Sequence, residues 1–259
     1  MTADILLRAE VGGCVTLTLN DPARYNVLSE AMLGALEGEI AEIGTRGDLK
    51  VLVVAANGKA FCAGHDLKEM RATPERGYYE TLFARCSRFM QSLVALPVPV
   101  IARVQGLATA AGCQLVATCD MAVAAEEARF AVSGVNLGLF CSTPSVALSR
   151  TVNPKRAFEM LATGEFIDAA TAQDWGLINR AVPAADLDTE IARLTASIER
   201  KSPVPLTMGK ALFYRQIGVP LSAAYADAGT TMAANMMAAD AVEGIDAFIE
   251  KRDPRWTGK

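Results

Sequence analysis

A 259-residue chain with one histidine, His65, cannot assemble the two- or three-histidine sites of catalytic zinc enzymes, and no HExxH pattern occurs. Any Ser-His-Asp triad would have to be built around that single imidazole. The six cysteines (Cys14, Cys62, Cys86, Cys113, Cys119 and Cys141) never stand at CxxC spacing. Set among apolar neighbours, they read as reduced thiols filling core space, and no metal site is expected. A surplus of positive charge is also missing: the formal net charge is −4, with no Lys/Arg cluster, which argues against nucleic acid as a partner. Apolar runs are short; Val51 to Ala56 and Leu93 to Ala102 fall far below a membrane span, and the second holds two prolines. The opening MTADILLRAE shows neither the apolar segment of a signal peptide nor an Arg/Ser-rich leader, so the expected location is cytoplasmic. Neither GxGxxG nor GxxxxGK[ST] occurs, which removes the familiar dinucleotide and phosphate loops.

What remains is a composition that is 51% apolar and 21% charged, enough for one large globular domain. ILLRAEV and CVTLTLN are strand-like and bounded by turn residues. Ser29 stands where a helix N-cap belongs, before Met32, Leu33, Leu36, Ile40 and Ile43 on one helical face. KVLVVAA and PVIARV are continuous apolar runs suited to strands buried on both faces, and MAVAA follows the second after a short helix. This alternation predicts an α/β architecture with crossover helices. From Ala184 onward only helical patterns appear, including the stripe Leu187, Ile191, Leu194, Ile198 and the largely apolar stretch Leu221 to Met237. Two regions are therefore expected, 1–183 and 184–259.

Two small-residue turns could carry chemistry. Phe61-Cys62-Ala63-Gly64-His65-Asp66 follows one buried strand, and Ala108-Thr109-Ala110-Ala111-Gly112-Cys113 follows the next. Each opens into a helix, where peptide N–H groups lack intrahelical partners. Two such donors, brought together, could hold one carbonyl oxygen and stabilise the charge it gains in an enolate or tetrahedral intermediate. Ordinary tight strand–helix turns would read the same way.

The motifs LNDPARYNVLS, KAFCAGHDLKEM, VQGLATAAGCQLVATCD, VNLGLF and AFIEKR, in that order over almost the whole chain, resemble the enoyl-CoA hydratase/isomerase (crotonase) family. Within it, GLATAAGCQLVATCD and GLFCSTP are most similar to the enoyl-CoA hydratase domain-containing protein 3 subgroup. The resemblance implies a ββα spiral, two sheets wrapped by helices, with a C-terminal helical region that builds trimers or dimers of trimers. It implies an acyl-CoA substrate and no tightly bound cofactor, coenzyme A entering as part of the substrate. The thioester-carbonyl donors would be the N–H groups of His65 and Ala111. Arg24, Ala63, Asp66, Leu67 and Lys68 would lie along the CoA arm. Phe248 and Lys251 would reach the nucleotide end from a neighbouring subunit.

The sequence departs from that family where hydration needs it. Hydratases hold the attacking water between two glutamates; here Gln114 and Gly134 stand at those positions. An amide orients water but accepts no proton, and glycine offers no side chain. Other candidates near the acyl end are the side chains of His65, Asp66, Asn136, Cys141 and Ser142. The AGHD turn and VNLG also resemble family members that decarboxylate malonyl-type CoA thioesters, a step that needs an oxyanion hole and no base, although Cys141 stands where those have tyrosine. Three functions thus remain: a thioester enzyme stabilising an enolate, a decarboxylase, and a non-catalytic acyl-CoA-binding module. Restoring glutamates at 114 and 134 is the expected test of the missing acid–base pair.

Overall fold

The computed structural model describes residues 4–259; the first three residues of the N-terminal reading, 1–3, lie outside it. Strands β1 (Leu6–Val11) and β2 (Cys14–Leu19) precede helix α1 (Glu30–Thr45). Then come β3 (Val51–Ala56), β4 (Ala60–Cys62), α2 (Leu67–Ala72), α3 (Arg76–Ala95), β5 (Val100–Val104), β6 (Leu107–Thr109), α4 (Ala111–Thr118), β7 (Met121–Ala125) and β8 (Arg129–Ala131). After these run α5 (Ser142–Thr151), α6 (Pro154–Thr163), β9 (Ile167–Asp168), α7 (Ala169–Asp174) and β10 (Arg180–Val182). Helices α8 (Leu187–Glu199), α9 (Pro203–Gln216), α10 (Leu221–Met236) and α11 (Ala239–Glu250) complete the chain.

Two sheets form, ordered β1-β2-β3-β5-β7-β10 and β4-β6-β8-β9. In the first, β1 and β2 are an antiparallel hairpin and the remaining neighbours are parallel; in the second, only β8 and β9 are antiparallel. The expected α/β arrangement of two sheets covered by helices follows from how β3 spends its six buried residues. Leu52, Val54 and Ala56 enter the main core between the sheets, with Leu17, Leu33, Phe61, Phe89 and Phe130. Val51 and Val53 face the other way, into a second cluster with Ile101, Val123, Leu187 and Ile191, so α8 is the cover of the sheet's outer face.

The second sheet escapes a reading by periodicity. Ala60–Cys62 and Leu107–Thr109, read as parts of turns, are strands of three residues, too short to show a period of two and nearly all buried. The Ser29 cap, in contrast, falls where expected, accepting from Met32 N–H at α1; Asn153 accepts in the same way from Lys155 N–H at α6, and Asp168 from Thr171 N–H at α7.

Helix α9 is tied to the sheet by a polar cluster. Lys210 Nζ donates to Asp120 Oδ2 (2.7 Å) and to the carbonyls of Leu93 and Val98 (2.9 Å each). Asp120 also accepts from Tyr214 Oη (2.7 Å) and from Val100 N–H (2.6 Å). Burial lowers the Lys210 pKa, with Asp120 opposing. The C-terminal helices otherwise remain uncovered in the single chain: Met237 is 84% and Phe248 86% exposed, and only Ala224 of α10 is buried. Among the described residues, no helix is long and apolar enough to cross a membrane.

Candidate active site

The loop before α1 clamps the first small-residue turn. Asn26, fully buried, donates to the carbonyls of Asn57 and Ala60 (2.8 Å each), and its Oδ1 accepts from Asp21 N–H. Ala63 N–H then donates to Tyr25 O (3.1 Å) and Leu28 N–H to Gly64 O (2.7 Å). The 63–66 segment is thereby fixed before any ligand arrives.

The two turns meet. A Cβ placed on Gly64, whose φ is +91°, would stand 2.9 Å from Ala110 Cβ and 3.2 Å from Ala111 N. Close approach is also demanded of Gly112, where a Cβ would come within 2.0 Å of the Cys62 carbonyl oxygen. The N-terminus of α4 therefore rests directly on the end of β4. Among the described residues, neither His65 N–H nor Ala111 N–H has a backbone or side-chain acceptor, which leaves two preorganised donors on neighbouring segments.

Between them lies a strained residue that sequence reasoning missed. Ala110 has φ 52° and ψ −120°, a conformation that suits glycine, and its N–H donates to Ala131 O (3.0 Å). Such strain costs on the order of 1–3 kcal/mol and persists where surrounding contacts over-determine it. Ala110→Gly should therefore raise stability by about 1 kcal/mol net of added unfolded-chain entropy, a midpoint increase of ~2–4 °C in thermal unfolding. An unchanged or lower midpoint would show that the angle carries no strain.

Asp66 is a capping and pairing residue. Its Oδ1 accepts from Lys68 N–H (2.8 Å) and Glu69 N–H (3.3 Å) at the start of α2, while Oδ2 pairs with Arg24 at 2.9 Å. Arg24 is held by Asp21 as well, at 2.7 Å. The structure thus joins Arg24 to Asp66 and ties Ala63 to Tyr25 beside it, while Leu67 and Lys68 open α2 with exposed side chains. Phe248 and Lys251 it does not bring there: they sit exposed on α11 and at its C-cap, and α11 packs on α10.

Of the side chains expected near the acyl end, Asp66 is the one already paired with an arginine; the others are His65, Asn136, Cys141 and Ser142, beside Gln114. Burial holds the His65 imidazole below the ordinary histidine range, with the Leu28 carbonyl opposing from outside hydrogen-bonding geometry. The ring packs edge-on against Phe83 of α3 (centroids 5.6 Å), which stacks in turn on Tyr79 (6.5 Å). The helical period of α3 signals its core face, but which partly exposed ring meets His65 is a tertiary fact. Gln114 is 5% exposed and its Oε1 has no partner. Cys141 is buried at the start of α5; burial raises its thiol pKa, and Gly134 N–H donates to its sulfur (3.3 Å). Asn136 is bound to Gly164 O (3.3 Å), and Ser142 Oγ donates to Phe140 O. A Cβ on Gly134 would meet Leu139 O at 2.6 Å and Cys141 Sγ at 2.7 Å. The expected restoration of a glutamate at 134 is corrected on that ground: no side chain fits there without moving backbone.

The core readings of the thiols hold for five cysteines, while Cys14 is half-buried. Burial pushes the thiols of Cys62, Cys86 and Cys113 up to about 12, so none is a ready nucleophile. Among the described residues, no group of three or more His, Cys, Asp or Glu is placed to hold a metal ion.

Comparison with known proteins supplies the context. The family model described as enoyl-CoA hydratase/isomerase matches residues 10–259. A rat protein, enoyl-CoA hydratase domain-containing protein 3, mitochondrial, is 47% identical over 245 residues, covering 95% of this chain and 82% of that one. The crystal structure of an enoyl-CoA hydratase from Mycobacterium smegmatis superposes with TM-score 0.97 at 59% identity, covering 98% and 99% of the two chains. That of human enoyl Coenzyme A hydratase domain-containing protein 3 gives 0.95 at 45%, covering 98% and 100%. The rat name also corrects the expected location: a relative this similar is mitochondrial, so the cytoplasmic reading falls. Free thiols require only a reducing compartment, and the cytoplasm is not the sole one.

Proposed function

Because the chain belongs to the enoyl-CoA hydratase/isomerase family, we propose that it binds an acyl-CoA thioester and stabilises the thioester enolate between the N–H groups of His65 and Ala111. The observation that supports this reading is the close approach of Gly64 to Ala110 and Ala111, which brings together the turn carrying the unpaired His65 N–H and the N-terminal end of α4 carrying that of Ala111. Donors fixed before binding need no reorganisation as charge develops, which is why such holes lower barriers by several kcal/mol, about 2.7–4 per donor in measured cases.

The same site argues against ordinary hydration. Proton transfer by positioned acids is worth roughly 10²–10⁴-fold, and the groups at positions 114 and 134 transfer none. Wild type should hydrate crotonyl-CoA barely above background, while Gln114→Glu raises the rate at least tenfold by supplying one carboxylate. If wild type already turns over as a competent hydratase, the reading of Gln114 is wrong. Acetoacetyl-CoA supplies the independent test of the hole, since the complex should enrich its enolate, visible in the ultraviolet. Binding without enolate enrichment favours a non-catalytic module, and carbon dioxide release from a malonyl-type thioester favours the decarboxylase.

Assembly belongs to the same proposal. The exposed apolar faces of α9, α10 and α11 suit a trimer or dimer of trimers, with Phe248 and Lys251 completing a neighbour's nucleotide pocket. Truncation at Asp240 would be a poor test, because Asp240 is buried and accepts from Ser202, Thr257 and Gly258, latching the tail. The exposed pair is better: Phe248→Ala with Lys251→Ala should weaken CoA binding about tenfold, or ~1.4 kcal/mol, without lowering the melting midpoint. Unchanged affinity removes both residues from the pocket.

A further inference from the structure

Helix α11 has little apolar anchorage in its own subunit. Of its twelve residues only Asp240 and Ala247 are buried, while Val242, Ile245, Phe248 and Ile249 stand 43–86% exposed. Few buried apolar contacts leave a helix free to tilt, so other bonds must fix its angle. The last eight residues, 252–259, supply them. Lys251, in the left-handed region at φ 56°, ends α11 and turns the chain back along it. Glu243 Oε1 then accepts from Arg255 N–H (2.7 Å) and pairs with Arg252 (2.6 Å). The Trp256 indole N–H donates to Arg200 O at the end of α8 (2.8 Å), and its ring lies on Gly244, where a Cβ would stand 3.1 Å from the ring. Asp240, 2% exposed, accepts from Thr257 N–H (2.6 Å), Thr257 Oγ1 (2.8 Å), Gly258 N–H (3.0 Å) and Ser202 Oγ (2.6 Å). Its own N–H donates to Lys259 O (2.9 Å). Burial drives the Asp240 carboxyl upward, yet the bonds from Ser202, Thr257 and Gly258 outweigh it and hold the group at about 2.

We propose that residues 252–259 are a strap that sets the angle of α11, with Asp240 and Trp256 as positioning residues for the coenzyme A contact that Phe248 and Lys251 make in the neighbouring subunit. This rests on the assembly reading above. The strap fastens α11 to Arg200 at the end of α8 and to Ser202, the N-cap of α9. Helix α8 covers the outer face of the first sheet and α9 is bound to it through Lys210, so α11 is referred to the body of the subunit. Joined to α10 at its start, α11 carries Phe248 and Lys251 at its far end. At 1.5 Å per residue they lie roughly 15 Å from that junction, where a tilt of about 5–10° displaces them by ~1–3 Å. Hydrogen bonds and ion pairs to a ligand do not survive such a shift. A buried carboxylate saturated by donors from one terminal segment admits a single path for that segment, which loose apolar packing would not.

Trp256→Ala in the full chain, read by calorimetric titration with coenzyme A, light scattering and amide exchange, tests this. Affinity should fall about fivefold or more with the oligomer mass retained. Exchange in α11 should rise at least about tenfold while β3 and β5 keep theirs. Trp256→Phe keeps a ring on Gly244 and should recover most of the affinity. In the Phe248→Ala, Lys251→Ala background, Trp256→Ala should change affinity by no more than about twofold, because the strap acts through those two side chains. If Trp256→Ala fails to fold, Thr257→Val, which removes one donor to Asp240 and leaves the backbone, decides in its place. Affinity untouched by Phe248→Ala with Lys251→Ala overturns the neighbour-pocket reading and the positioning role with it. Affinity lost in that pair but kept when the strap is cut, α11 exchange that does not rise, or full additivity of strap and pair overturns the strap alone.

Discussion

Replacing Gly112 by alanine should abolish the paired-donor site and cost the protein several kcal/mol. The added Cβ would stand 2.0 Å from the Cys62 carbonyl oxygen and 2.6 Å from its carbon, both backbone atoms of a strand buried on all sides. No rotamer change relieves a backbone collision, so α4 must move away from β4 by the better part of an ångström. That motion carries Ala111 N–H with it, while His65 stays pinned through the Leu28–Gly64 hydrogen bond. A misplacement of about 1 Å in such machinery costs around 10²-fold. Over-packing in a core adds ~1–3 kcal/mol, and lost helix–strand contacts add to it. Enolate enrichment of bound acetoacetyl-CoA should disappear and the melting midpoint should fall by roughly 5–10 °C. A variant that melts normally and still enriches the enolate would mean that α4 does not rest on Cys62 as described.

How much of this was legible in the residues differs between fold and site. Five strands of the six-stranded sheet were readable, helped by the continuous apolar runs of β3 and β5 and by the Ser29 cap of α1, whereas β10, three residues and partly exposed, was not. The four-stranded sheet was not, because Ala-Phe-Cys and Leu-Ala-Thr are too short for any periodicity to declare itself. The two donor turns were marked by small residues in a recurring order, yet their contact depends on Gly64 reaching Ala110 across the sheet, a distance no local pattern encodes. The acyl end was least readable. Ala110 looks innocuous until its φ of 52° is seen, and Phe83 becomes a wall only when α3 packs beside His65. Gly134 reads as a missing glutamate in sequence and as an obligate void in the structure, filled by the Cys141 sulfur and the Leu139 carbonyl. The cytoplasmic expectation rested on the opening residues and agreed with reduced thiols, and neither distinguishes one reducing compartment from another.

Lys210→Met should destabilise the protein by ~3–5 kcal/mol without touching the donor pair. The ammonium has three protons and three acceptors: Asp120 Oδ2 and the carbonyls of Leu93 and Val98. Methionine matches the stem in bulk but satisfies none of them, and it leaves the half-buried Asp120 carboxylate with only Tyr214 and Val100 as donors. An unpaired buried charge costs more than the intact pair contributes, so the deficit comes mainly from what is left behind. Chemical denaturation should read the loss directly, and the thermal midpoint should drop by roughly 10 °C. Removing the charge as well isolates the cause: Lys210→Met with Asp120→Asn should cost clearly less than the sum of the two single variants, by about 1–3 kcal/mol. Strict additivity would mean that Lys210 and Asp120 act independently, and that α9 is held by its apolar contacts alone. Because the cluster joins α9 to the start of β5 and to Asp120 just before β7, its failure should first loosen the C-terminal helices. Amide exchange in α9 and α10 should therefore rise well before that of β3 and β5, whereas uniform acceleration would mark the cluster as part of the global core.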